Sequence, residues 1–520
     1  MLVRFLLGLS PILIVLLLML GFKWGGTRAG AAGWLTALIV SVLFFGAGVE
    51  LLAYSQMRAL LLTLYVLYVI WMALIFYNVV LEAGAIASIG QGIVRVTGDR
   101  VLQLLMLSWV FSSFLQGVAG YGVPIAVVAP LLIGLGFPAI QAVAAVAIGH
   151  AWAVTFGSMA ASFNALIATS GMPGQVLAPS TALLLGLVCY LCGGFAALTA
   201  GGFAALKHAL PAILWIGTVM AGAQYGFAVA GMWNIAAFVA GLMGLGATAL
   251  VARLPLYRST APRAELSADG TAAQGSRVAL PLSLAIVPYA LLIGVVSLAE
   301  LAPPVHALLN SVRLEVAIPE TVTSLGFTTP STAGQAISVF GHAGALLLYA
   351  SIAAYLVLAS RRCYAPGSLR TILSNTVRSA VSSSLGIAAM VGFALIMEQS
   401  GMTGTVAGIL SLSGPALYSF ASPFIGLLGA FMTGSNTNSN VLFTGMQRET
   451  AALLRLPVTL ILGAQTAGGA IGGMLAPARI IVGASTAGLA GKEGQVLRRT
   501  IPCGLIITAV VGLIVWLAAA

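Results

Sequence analysis

The stretch "TGSNTNSN", residues 433–440, interrupts sequence that is otherwise apolar enough to lie in a membrane. "ASPFIGLLGAFM" precedes it, "VLFTGM" follows, and no charged residue appears downstream until Arg448. Seven of the eight side chains are polar, the eighth residue is glycine, and none is charged. Ser, Thr and Asn supply both donors and acceptors. Such a block can hold a carboxylate through hydrogen bonds, or offer oxygens to a cation such as Na⁺. The alternative is a water-exposed loop, in which these residues are ordinary; the apolar flanks count against it.

Working outward, the chain of 520 residues is 60% apolar and only 6% charged, with a mean hydropathy of +1.09. Soluble domains carry about 25% charged residues, so a soluble globular protein is excluded. Apolar runs near the ~20 residues needed to cross a bilayer recur at 2–22, 31–54, 59–81, 101–115, 181–205, 210–230, 235–252, 279–299, 343–360, 371–397 and 501–520. In lipid the backbone must bond internally, so these runs are helices. The expected fold is an all-α polytopic membrane protein with roughly 12–14 transmembrane helices. The first run, after Arg4, ends in "GFKWGG" without a small-x-small cleavage site and reads as an uncleaved helix.

The formal charge of +11 reflects basic loops, not a nucleic-acid partner. Arg253, Arg258, Arg263 and Arg277 mark one loop, and Arg361, Arg362 and Arg370 another. By the positive-inside rule both are expected in the cytoplasm. Cys189 and Cys192 form a C-x-x-C inside "LGLVCYLCGGF", with no His or carboxylate nearby. They read as small packing residues, and no disulfide framework, metal site or cofactor is expected.

A Pro/Ala/Ser/Gly-rich linker at 253–278 divides the chain into halves at 1–252 and 279–520. A second interruption, 303–340, reads as an interfacial, partly helical connection. Each half repeats one order: apolar helix, Gly-rich or polar break, short segment, proline, apolar helix, second break. In the first half the breaks are "GVAGYGVP" (117–124) and "GHAWAVTFGSM" (149–159). In the second they are 433–440 and "GAQTAGGAIGGMLAP" (463–477). Paired interrupted segments in two halves point to a secondary transporter with inverted repeats, each carrying a re-entrant or broken helix. Half-helix N-termini there favour an anion.

The expected substrate-binding residues are therefore Gly120, Tyr121 and Gly122 in one break, and Ser435, Asn436, Thr437 and Asn438 in the other. Gln465 and Thr466 join them from the last break. Arg479 is a lone cation in "MLAPARIIVG"; it either clamps a carboxylate or snorkels to the interface. His150 can take up a proton near neutral pH or serve as a neutral packed group. Glu398, ending a long apolar helix, is an intramembrane carboxylate of the costly and usually functional kind. These two are the proton-coupling candidates. Glu82 and Glu50 sit at helix ends and read as interfacial. No HExxH motif or Walker loop suggests an enzyme.

With these motifs in place, the chain resembles the L-lactate permease family of secondary transporters. The likeness is carried by "GYGVPIAVVAPLLIGLGFP", "SGMTGTVA", "SPFIGLLGAFMTGSNTNSNVLF" and "AGLAGKEGQVLRRT". It implies a proton-coupled importer of lactate or a related 2-hydroxymonocarboxylate such as glycolate, in a bacterial inner membrane. The Ser-Asn-Thr run also looks like that of divalent-anion:Na⁺ symporters, which keeps Na⁺ as an alternative coupling ion. An anion channel is the reading from a different class. Departures from the family pattern are Gln116 and Asn436 where the resemblance leads one to expect carboxylates, Asn438 within the same motif, and His150, Glu398, Gln465 and Arg479 at other positions. The resemblance with its departures implies a neutral cradle for a small carboxylate.

Overall fold

The computed structural model describes every residue except 1, 23, 95, 119, 121, 259–279, 332–335, 490–491 and 520. Tyr121 and most of the expected linker therefore lie outside the described residues. The chain is an all-helical membrane protein: among the described residues, 12 helices are long and apolar enough to cross a bilayer, or 13 counting one bent pair.

Glycine sets several boundaries that hydropathy places elsewhere. The expected span 31–54 stops at Gly46, whose φ of +70° closes the helix Gly26–Phe45; a new helix, Val49–Glu82, starts beyond it. The spans expected at 181–205 and 210–230 meet at Gly201 and Gly202, where φ/ψ leaves the helical region. Two membrane-length helices, Pro415–Thr433 and Val458–Leu475, flank the polar block without appearing among the runs read from hydropathy. The interruption at 303–340 holds a short helix, Pro303–Leu309, and two antiparallel pairs: Arg313–Leu314 with Ile337–Ser338, and Thr321–Val322 with Thr328–Thr329.

The halves interlock. The helix Val49–Glu82 has 34 residues, about 51 Å at 1.5 Å per residue, longer than a ~30 Å hydrocarbon core. It lies along Ser368–Gln399, and polar side chains tie the pair. Trp71 donates to Ser384 Oγ at 2.9 Å, Asn78 to Thr376 Oγ1 at 3.0 Å, and Gln56 to the Gly392 carbonyl at 3.3 Å.

Two glycine contacts, one before and one after the expected linker, stand at matching offsets along the chain. Gly149 and Gly468 each follow their proline, Pro138 and Pro457, by eleven residues. A Cβ at Gly149 would land on the Ser108 carbonyl, and one at Gly468 on the Pro423 carbonyl. Ser108 and Pro423 in turn each precede the end of their helix, Val118 and Thr433, by ten residues. Both partner helices are irregular there: Ser108 lies in a π-helical segment, Met106–Phe111, and Pro423 interrupts Pro415–Thr433. The second half adds Gly426 against the Gln465 carbonyl and Gly472 against the Leu427 carbonyl. Small residues let helix backbones meet where no water drives association.

Gly468→Ala is therefore expected to lower the melting temperature of the purified protein, as overpacking costs about 1–3 kcal/mol. Gly222→Ala, with open space at its Cβ, should leave it unchanged or slightly raised. Equal melting curves for the two variants would contradict this packing.

Candidate functional site

The block at 433–440 is a tight corner followed by a helix. Gly434, at φ +70°, ends Pro415–Thr433, with its N–H on the Ala430 carbonyl at 2.9 Å. Ser435 is extended, and its Oγ accepts from the Asn438 N–H at 3.3 Å as an N-cap. The helix Asn436–Leu453 then begins, so Asn436 and Asn440 lie one turn apart on one face. The amides face protein, not water: Asn436 and Asn440 are 1% and 0% exposed.

That face meets a second corner from the first half. Residues 158–160 take left-handed angles, with φ of 49°, 53° and 57° at Ser158, Met159 and Ala160. Such angles cost L-residues about 1–2 kcal/mol each, and this strain sits in a fully packed site, where it is commonly functional. The excursion is closed by the Phe163 N–H on the Thr155 carbonyl at 3.2 Å. It turns Thr155 and Ser162 toward the asparagines. Asn436 Nδ2 donates to Thr155 Oγ1 at 3.1 Å, and to the carbonyl and Oγ1 of Thr466 at 3.2 and 3.3 Å. Asn440 Nδ2 donates to Thr466 Oγ1 and the Ser162 carbonyl, both at 2.9 Å. Thr437 and Ser162 share a hydroxyl–hydroxyl bond of 3.1 Å. Gln465 Nε2 reaches Ser439 Oγ at 3.1 Å, and its Oε1 accepts from Gln447, which accepts from the Tyr418 hydroxyl. The side-chain oxygens of Asn436, Asn438 and Asn440 are buried with no donor among the described residues.

The expected pairing of 117–124 with 433–440 is replaced by an indirect one. A Cβ at Gly120 would meet Ser158 Oγ and the Gln116 amide, so this glycine touches the left-handed corner rather than the asparagines. Gly122, at φ +86°, opens the helix Val123–Gly134 and faces Val482. Val482 belongs to Pro477–Thr486, the helix that also carries Arg479. Arg479 Nε donates to the Gly434 carbonyl at 2.8 Å, and its guanidinium lies against Gly473. A cation at a helix C-terminus complements the negative dipole end. Arg479 thus binds the end of one broken helix, and its own helix reaches the other break.

The two coupling candidates lie apart from this network. His150 is fully buried; its Nδ1 stands 2.6 Å from the Val146 carbonyl, so the N–H points there and Nε2 has no partner among the described residues. Glu398 pairs with Arg58 at 3.6 Å and Arg448 at 3.5 Å. Arg448 is twelve residues beyond Asn436 on one helix, about 18 Å away.

Of the expected residues, Asn436, Thr437, Gln465 and Thr466 converge, Ser435 caps, Asn438 lies within the same turn, and Gly120, Gly122 and Arg479 frame the corners. Thr155, Ser162 and Asn440 complete the network and were not expected. Their signal was faint: hydroxyls and an amide in apolar context beside breaks already noted.

The family model described as L-lactate permease matches residues 4–520. The chain is 28% identical over 522 residues to the L-lactate permease of Bacillus subtilis, covering 95% of this chain and 92% of that one. It is 27% identical over 529 residues to the L-lactate permease of Escherichia coli K12, covering 98% and 94%. It is 24% identical over 538 residues to the glycolate permease GlcA of the same strain, covering 99% and 95%. Among solved structures, the YdaH transporter of Alcanivorax borkumensis aligns with a TM-score of 0.43 at 15% identity, over 86% of this chain and 84% of that one.

Thr466 Oγ1 is the shared acceptor of the network, so the isosteric Thr466→Val should strand parts of two buried amides, at about 1–3 kcal/mol per unmet group. A clear fall in melting temperature is expected, with most of it restored in Thr466→Ser. Full stability of the valine variant would show that the amides have other partners.

Proposed function

The chain belongs to the L-lactate permease family, and from that premise we propose that it is a secondary active transporter of L-lactate or a related 2-hydroxymonocarboxylate such as glycolate. It resides in a bacterial inner membrane, takes up its substrate together with protons, and works by alternating access of two inverted halves. The observation that carries this reading is the uncharged polar network where the two corners meet, Asn436–Thr466–Thr155 with Asn440–Ser162. Backbone breaks at membrane depth are tolerated where they line a cavity or a site. Hydroxyl and amide donors at such breaks can take over the hydration of a carboxylate and a 2-hydroxyl. No charge has to be buried permanently to do so.

Alternating access then amounts to repacking at the corners. The network joins first-half Thr155 and Ser162 to second-half Asn436, Asn440 and Thr466, so relative movement of the halves opens it. Substrate bridging both sides would stabilise one arrangement over the other, as any ligand-driven shift requires.

A second reading, sodium coupling, is favoured by the donor-free side-chain oxygens of Asn436, Asn438 and Asn440. Hard cations take such oxygen ligands. Proteoliposomes containing the purified chain decide between the two. With an inward proton gradient and no Na⁺, radiolabelled L-lactate or glycolate should accumulate above the level reached without a gradient. Accumulation only on an inward Na⁺ gradient would establish the second reading, and none with either acid would refute both.

Asn436→Ala and Ser435→Ala should each reduce this uptake at least about tenfold, the loss expected from a hydrogen bond to a charged group, ~1.5–3 kcal/mol, while the protein still inserts and purifies. Wild-type rates in both would remove the corner from the site.

A further inference from the structure

A second cluster of charges lies at the far end of the helix that begins with Asn436. Glu398 ends Ser368–Gln399 and presents a single oxygen, Oε1, to Arg58 at 3.6 Å and to Arg448 at 3.5 Å. Arg58 comes from Val49–Glu82, and Arg448 from Asn436–Leu453, where Glu449 stands next to it and within Coulombic reach of Glu398. Thr403 of Met402–Leu410 and Thr169 and the Ser170 carbonyl of Gly157–Ser170 complete the surroundings; Arg448 also donates to that carbonyl at 2.9 Å. All three ion-pair side chains are more than two-thirds buried.

Three features set this cluster apart from an ordinary structural ion pair. Its contacts are long, since charge-assisted N–H···O bonds to carboxylates run about 2.7–2.9 Å. Two guanidinium groups share one oxygen, so neither uses the bidentate fork that best suits a carboxylate. The cluster also borders a narrow cavity, lined by Glu398, Thr169, Thr403, Gly445, Leu442 and Val441.

We propose that Arg58 and Arg448 form an entry site for the substrate's carboxylate, and that Glu398 occupies this site until a proton neutralises it. This rests on the reading of the chain as a transporter of small monocarboxylates. Charge balance gives the reason. With both carboxylates ionised, two arginines against Glu398 and Glu449 are neutral together, and burial with Glu398 beside it pushes Glu449 up to about 7, so on the alkaline side an arriving anion would leave an uncompensated charge in a poorly solvated place, which is costly. One proton from solution taken up on Glu398 leaves the cluster with one positive charge. One monocarboxylate then restores neutrality, taking the guanidinium groups that Glu398 releases. Proton and anion enter together, one for one.

The test is substrate exchange in proteoliposomes with equal pH on both sides, read as the half-saturating concentration of radiolabelled L-lactate, and of glycolate in parallel, across about pH 5.5–8, a window spanning neutral in which carboxylate–proton linkage is readable. In the wild type, half-saturation should rise on the alkaline side by about tenfold per pH unit, the limit for one linked proton. Glu398→Gln should flatten this rise, leaving only what Glu449 contributes, and abolish accumulation driven by a proton gradient. Arg58→Gln and Arg448→Gln should each raise half-saturation at acid pH by at least about tenfold, the cost of losing a charged hydrogen bond. Arg58→Gln serves if Arg448→Gln, which also frees the Ser170 carbonyl, does not fold. A pH-independent wild type, or a Glu398→Gln variant that keeps the wild-type pH profile, overturns the displacement of Glu398. Unchanged half-saturation in a folded arginine variant overturns the entry site. A wild type that exchanges neither acid overturns the transport reading itself, and this inference with it.

Discussion

A helix that stops inside a low-dielectric interior leaves carbonyls and N–H groups that water cannot reach, and the rest of this architecture follows from how those groups are met. At the second-half corner the answers are local and specific. Gly434 turns the chain, Ser435 caps the next helix, and Arg479 donates to the Gly434 carbonyl. Once the ends are satisfied in this way, the side chains of the new helix are free for other work. Asn436 and Asn440 reach across to Thr155, Ser162 and Thr466 instead of repairing their own backbone. The cap therefore comes first in the causal order, and the polar network is what it permits.

Close packing does the complementary job of fixing where the corners lie. Gly426 on one helix and Gly468 and Gly472 on the other set Pro415–Thr433 and Val458–Leu475 on each other's carbonyls, and Gly149 meets the Ser108 carbonyl in the same way. Contacts of this kind admit no side chain on the glycine side, so the crossing has little freedom. The corners are carried on those rigid crossings, and the left-handed run 158–160 lies between Thr155 and Ser162. Strain placed at the junction of two rigid units is where a small relative movement would be released or absorbed.

Much of this was legible in the sequence, for reasons that separate cleanly. Hydropathy and helix length report on the solvent around a segment, so the membrane class and most spans could be read directly. The breaks could be read because Gly and Pro have conformational meanings of their own. The chain ends of the helices were less legible: nothing in the apolar run 31–54 announces that Gly46 takes a left-handed angle. Pairing between breaks was not legible at all. "GVAGYGVP" seemed the natural partner of "TGSNTNSN" because both are conspicuous. The segment that in fact reaches the asparagines is the plainer "TFGSMAAS", residues 155–162, where Thr155 accepts from Asn436 and the Ser162 carbonyl from Asn440. Which break faces which depends on the tertiary path. Arg479 donates to the Gly434 carbonyl, a partner that leaves no trace in sequence.

The absence of any carboxylate from the polar network constrains how coupling can be arranged. Asparagine, threonine and glutamine do not change charge with pH, so a proton cannot be held there by titration of Asn436, Gln465 or Gln116. A neutral site that receives an anion gains a full negative charge, and in the proposed symport a co-bound proton would be accommodated elsewhere in the chain. Among the expected candidates, His150 makes its hydrogen bond within its own helix turn and has no link to the asparagines. Glu398 is linked to them through an ion pair: it pairs with Arg448, which lies with Asn436 on one helix, Asn436–Leu453. A helix of 18 residues moves as a unit, and coupling between distant sites needs such an element with two arrangements. Release of Arg448 by a neutralised Glu398 would alter one end of that rod while Asn436 and Asn440 hold the other. Coupling and recognition can then be separate in space and still act together, which a single neutral cradle could not achieve alone.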